Sequence, residues 1–201
     1  MGDAVGRVNS TLIAANVGVF ALQQANPWLL VPLALWPPGA PPIEGIVVHF
    51  EPWQLVTYAF LHGGLAHLGL NMLALWMFGR DCERVLGQRR YLELYFAAVL
   101  SAALTQLAFA VAMHATAPTI GASGGVFGIL LAFAVIFPER RVMLLFPPIP
   151  MPAWLFVTLY GLIELGNGVF GTRDGVAHFA HLGGMLGAWL MLRRWMRAAR
   201  R

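Results

Sequence analysis

The chain has no lysine, a single cysteine and little charge of either sign, with 11% of its 201 residues charged. A water-soluble domain carries about a quarter charged residues, so this shortage excludes an ordinary soluble fold. The lone thiol, Cys82, excludes an intrachain disulfide and leaves the redox compartment open. All 13 basic residues are arginine and give a net charge of +4 and a pI near 10.0. They form no basic patch interleaved with solvent-facing aromatics, which excludes a nucleic-acid partner. The N-terminus lacks the charged region, apolar core and cleavage site of a removable signal peptide, so its first apolar run reads as a retained span. Repeats with a period of about 20 to 50 residues are also missing.

What the chain does have is 59% hydrophobic residues and a mean hydropathy of +0.69. At about 20 apolar residues per crossing, its length suffices for five or six spans with short loops. The expected fold is an all-α polytopic bundle with spans at residues 8–26, 62–78, 91–113, 123–137, 153–170 and 177–192. The first is interrupted by Asn16, Gln23 and Gln24. In the segment 27–61, Pro27, Pro32, Pro37, Pro38, Pro41 and Pro42 block one long helix, so it reads as an interfacial loop. Span two should end at Gly79 and the charged run Arg80, Asp81, Glu83, Arg84, and span four at Pro138 and Glu139. Pro147, Pro148, Pro150 and Pro152 mark a connector. If the spans alternate, Arg7, the loops after spans two and four and the tail from Arg193 to Arg201 share one side. That side holds 12 of the 13 arginines, with only Arg173 opposite. The positive-inside rule then puts both termini in the cytoplasm.

Span four is 15 residues long, and at 1.5 Å per residue it covers about 22 Å of a hydrocarbon core near 30 Å. Its first residues therefore begin below the membrane surface, inside the protein, and they read Gly121-Ala122-Ser123-Gly124-Gly125. A serine there meets unpaired backbone N–H groups and the positive end of the helix dipole, an environment suited to a nucleophile whose attack creates an oxyanion. Packing explains the same glycines, because Gly124/Gly128 and Gly121/Gly125 have the spacing that lets membrane helices approach closely. The string also fits a G-x-S-x-G elbow, which would need a strand and a soluble α/β sheet.

Ionisable residues inside spans are costly and usually functional. His62 and His67 open span two, with Asn71 one turn beyond His67, and His178 and His181 open span six. If the spans alternate, His67, Asn71 and the span-six histidines share one depth with Ser123, in the outer half of the bilayer. A nucleophile, a base on a second helix and side-chain donors on a third make the set of a serine hydrolase.

These residues resemble the rhomboid intramembrane serine proteases, from about Glu51 to Gly187. Four motifs stand in the family's order: Glu51-Pro52-Trp53-Gln54, His67-x-x-x-Asn71, Gly121-x-Ser123-Gly124 and Ala180-His181-x-x-Gly184. The resemblance implies a single rhomboid-like transmembrane domain over 1–201. It also implies a Ser–His dyad without an acidic third member, and a water-accessible cavity sunk in the membrane of a compact bacterial type of protein. Ser123 would be the nucleophile and His181 the general base. His67, Asn71 and the Ser123 backbone N–H would hold the oxyanion, and Phe127 would stack on the base. Gly121 and Gly124 would support the cavity, and the substrates would be membrane proteins cut in or beside a transmembrane segment. His62, by its own chemistry, is either a second polar contributor to the cavity or a satisfied core histidine. Two departures stand out: Gln54 replaces the usual arginine of the loop motif, and Ala188 a glycine seven positions after the base.

The remaining polar residues carry less. His178, one turn before His181, reads as structural, Glu164 in span five has no partner nameable from sequence, and Arg173 and Asp174 read as solvated. A zinc hydrolase would need an H-E-x-x-H helix or an added carboxylate ligand. A bis-histidine haem carrier leaves the start of span four unexplained, and a transporter would want paired broken helices. The resemblance requires no metal or other cofactor. Its non-enzymatic rival is an inactive rhomboid-like protein that binds transmembrane helices.

Overall fold

A computed structural model describes residues 6–143, 148–170 and 177–199; Pro147, Arg173, Asp174, Arg200 and Arg201 lie outside the described residues. The chain is mostly helical. Its principal helices are α1 (Arg7–Ala25), α2 (Leu65–Ala74), α3 (Arg80–Leu86), α4 (Gln88–Met113), α5 (Ser123–Ile136), α6 (Ala153–Phe170) and α7 (His178–Ala199). Each expected span has a helical counterpart. Among the described residues, α4 and α6 are long and apolar enough to cross a membrane, and α5 is a shorter apolar helix.

Three features differ from expectation. The second span does not stop at Gly79: a π-turn over Leu75–Gly79 joins α2 to α3, so Arg80 to Arg84 are helical and the break falls at Gly87, whose φ is +76°. The run continues because its charges have partners. Asp81 pairs with Arg84 at 2.8 Å and with Arg140, and the buried Glu83 accepts from the backbone N–H groups of Val8 (3.2 Å) and Asn9 (2.8 Å). Glu83 thus caps α1, which has no side-chain cap of its own. Asn9 completes the junction, donating to the Leu75 carbonyl at 2.9 Å and accepting from Tyr91 Oη at 2.6 Å. The last helix, second, runs past residue 192 to Ala199, with Arg193 over the Trp189 ring at 4.8 Å. Third, the fold is not purely helical, because β1 (Arg141–Met143) and β2 (Pro150–Pro152) pair antiparallel in the connector.

The centre of the bundle is the junction of α4, α5 and α7, where small residues bring backbones together. A Cβ on Gly124 would meet that of Ala102, and one on Gly128 that of Ala98. One on Gly187 would sit 2.6 Å from the Ala97 carbonyl oxygen, and one on Gly184 would collide with the Gly124 carbonyl. Ala188 is fully buried beside Gly128, so the alanine departure leaves the close approach intact.

Candidate active site

Local hydrogen bonds fix the start of α5. Leu35 and Thr119 exchange backbone bonds of 3.1 and 3.0 Å, Gly121 N–H donates to the Tyr58 carbonyl at 2.9 Å, and Tyr58 Oη donates to the Val99 carbonyl at 2.8 Å. Gly121 has φ +129°, and a Cβ there would lie 2.8 Å from Cε1 and Nε2 of His67. Glycine is therefore needed both for the turn and for the histidine's approach. The first helical bond of α5 runs from Val126 N–H to the Ala122 carbonyl, so the Ser123 N–H has no partner within the helix.

Ser123 Oγ lies 2.8 Å from His181 Nε2. Phe127, one turn on, stacks on the His181 ring with centroids 4.2 Å apart and planes within 6°. The imidazole's other nitrogen, Nδ1, is 2.8 Å from Glu164 Oε2, and the same oxygen is 2.7 Å from His178 Nδ1. Glu164, His178 and His181 are all buried. Glu164 therefore has two partners, both on α7, and His178 is no surface group.

Facing them on α2, His67 Nδ1 accepts from Gly63 N–H at 3.3 Å. A neutral ring with that nitrogen accepting carries its proton on Nε2, which with Cε1 is the edge of the ring that meets Gly121. Asn71 is buried and donates to the His67 carbonyl at 2.9 Å, a bond that uses one of its two amide hydrogens. His62 precedes α2 rather than opening it. It is fully buried, edge-on to His67 at 5.0 Å, and its backbone is clamped by Gln23 through bonds of 2.9 and 3.0 Å. The polar interruption in the first helix is thus a fastening for this loop.

The loop motif is held without an arginine. Gln54 is buried, accepts from Trp36 N–H at 3.2 Å and donates to the His49 carbonyl at 3.3 Å. Trp53 Nε1 donates to the Pro32 carbonyl at 2.8 Å.

Glu164, His178 and His181 also offer three ligand atoms within 4.8 Å of one another. Two ligands of a tetrahedral zinc lie about 3.3 Å apart for metal–ligand bonds near 2.0 Å. The separations of 2.7 and 2.8 Å from each histidine nitrogen to the carboxylate are instead those of direct hydrogen bonds.

Residues 49–197 match the family model described as the Rhomboid domain. The chain belongs to the rhomboid family. Similar rhomboid proteins include Rhomboid protein 1, mitochondrial, of Saccharomyces cerevisiae, 33% identical over 66% of this chain and 39% of that protein. Rhomboid protease GluP of Bacillus subtilis is 31% identical over 73% of this chain and 26% of its own length. Presenilin-associated rhomboid-like protein, mitochondrial, of Bos taurus is 30% identical over 91% of this chain and 47% of its own length. The chain thus spans less than half the length of these relatives. Rhomboids are membrane-integral, and the relatives include mitochondrial ones.

Within the rhomboid domain, Ser123, His181, Phe127, His67, Gly121 and Gly124 come together around the start of α5, with Asn71 one turn from His67. The Glu164 contact is what sequence reasoning missed. Its signal is depth: Glu164 lies 6 residues before the end of α6 and His181 is the fourth residue of α7, or about 9 and 4.5 Å from the two helix ends that the connection joins.

Proposed function

We propose that the chain is an intramembrane serine endopeptidase that hydrolyses peptide bonds in or next to transmembrane segments of membrane proteins. The single observation that carries this reading is the 2.8 Å contact between Ser123 Oγ and His181 Nε2 at a helix N-terminus. Ser123 donates its proton to His181 as its oxygen attacks the carbonyl carbon, and the carbonyl electron pair moves onto oxygen. The Ser123 N–H and the side chains of His67 and Asn71 receive that oxyanion. His181 then protonates the leaving amine, and a water activated by the same imidazole releases the acyl group.

A peptide bond in a helix is shielded by its own hydrogen bonds, so the substrate must unwind locally. Small or helix-breaking residues near the scissile bond should favour cleavage. The reading carries with it six spans, both termini in the cytoplasm and a bacterial inner membrane. It requires no metal or other cofactor.

The test is cleavage of a model single-span substrate by the purified full chain in liposomes, beside Ser123→Ala and His181→Ala. Loss of about 10³-fold or more in each variant is expected, with no effect of chelators. Undiminished cleavage by either variant would contradict the assignment. Substrate binding without cleavage by the wild type would favour the inactive helix-binding protein instead.

A further inference from the structure

We propose that Glu164 is a positioning residue that turns the Ser123–His181 pair into a relay of three, holding the His181 ring in the one orientation and tautomer that can accept the serine proton. The inference rests on the proteolytic reading of Ser123 and His181. It adds an acidic third member, supplied by α6, to a pair that the resemblance alone describes as a dyad.

A neutral imidazole has one N–H and one lone pair. With Nδ1–H donating to Glu164 Oε2 at 2.8 Å, the lone pair sits on Nε2, which lies 2.8 Å from Ser123 Oγ. The Phe127 stack cannot do this job. Parallel stacking at 4.2 Å fixes the plane of the ring but is unchanged when the ring turns over by half a revolution about Cβ–Cγ, which exchanges Nδ1 with Cδ2 and Nε2 with Cε1. Only a partner at the ring's edge distinguishes the two orientations, and Glu164 is at that edge. His178 steadies the partner in turn, donating to the same oxygen at 2.7 Å.

Burial strengthens the arrangement. The side chains of Glu164, His178 and His181 are at most 10% exposed, so little water competes for these bonds. As the serine O–H bond breaks and the Nε2–H bond forms, the resulting imidazolium faces the carboxylate through Nδ1. Glu164 takes no proton, and the transferred one passes from Nε2 to the leaving amine. The carboxylate therefore acts through His181 alone.

The experiment uses the full chain in lipid nanodiscs, comparing wild type with Glu164→Gln, Glu164→Asp and His178→Ala. Glu164→Gln keeps the size and removes the charge, and it should lower kcat about 10- to 100-fold with KM within about twofold. Glu164→Asp should recover part of the loss. His178→Ala leaves the Glu164–His181 bond in place and should lower kcat less than Glu164→Gln does. In parallel, ¹⁵N-histidine NMR of the wild type should show His181 protonated at Nδ1 with a strongly deshielded N–H proton, assigned by its loss in His181→Gln and shifted in Glu164→Gln. Unchanged kcat in a folded Glu164→Gln overturns the proposal while leaving the Ser–His reading intact. An Nε2-protonated His181 in the wild type overturns it without any variant having to fold. If no form of the chain cleaves substrate, the proteolytic reading fails and the NMR signature still decides whether Glu164 orients His181.

Discussion

Substituting Gly184 by alanine should separate the two halves of the site without touching either reacting group. A Cβ at position 184 would collide with the Gly124 carbonyl oxygen and lie 2.8 Å from its carbon and 3.1 Å from the Gly124 Cα. The atoms it meets are backbone of α5, one residue after Ser123, so no side chain can swing aside. Restoring ordinary contact at 3.4 Å or more requires α5 and α7 to part by roughly 1.4 Å, at a cost of about 1–3 kcal/mol. The same displacement would stretch the Ser123–His181 contact from 2.8 Å to about 4.2 Å, beyond hydrogen-bond reach. A misplacement of that size costs about 10²-fold in rate. The assay is kcat/KM on a single-span substrate together with thermal unfolding, with Gly18→Ala as control, since a Cβ there meets nothing within 4 Å. Gly18→Ala should stay within about twofold of wild type. A Gly184→Ala variant with wild-type kcat/KM would refute the claim that backbone contact between α5 and α7 sets the catalytic distance.

Phe127→Leu removes the ring stacked on His181 at 4.2 Å and should lower kcat more than it raises KM, measured on the same substrate. Glu83→Gln weakens a buried acceptor of two α1 backbone N–H groups; a loss of about 1–2 kcal/mol is expected, read as a lowered unfolding temperature. Cys82 is fully buried, so maleimide labelling should be negligible in the native protein and complete after unfolding.

Part of the helix pattern was legible because α4 and α6 are apolar runs of membrane length, and α5 and α6 begin where glycine, proline and serine mark the boundaries. The parts that were not legible depend on partners distant in sequence. Arg80 to Arg84 read as the end of a span, yet Asp81 is matched by Arg140 and Glu83 by the start of α1. Those pairings make a continuous helix the cheaper outcome. Gln54 stands where the loop motif usually has arginine, and it donates and accepts through one buried amide, replacing charge with two neutral bonds.

The candidate site was legible to the extent that four short motifs fix residue types at set spacings. The carboxylate behind His181 belonged to no motif. Glu164 was one of two acids inside the expected spans, with Glu93, and pairing it with His178 and His181 required knowing that α6 and α7 lie side by side at matching depth.

The claim that Ser123 is a nucleophile activated by His181 is tested most directly by mapping a covalent serine probe. The full chain in liposomes is treated with a fluorophosphonate and its peptides are read by mass spectrometry. A single adduct on Ser123, strongly reduced in His181→Ala, is the predicted result. Absence of the adduct in folded wild-type protein, or equal labelling in His181→Ala, would contradict it.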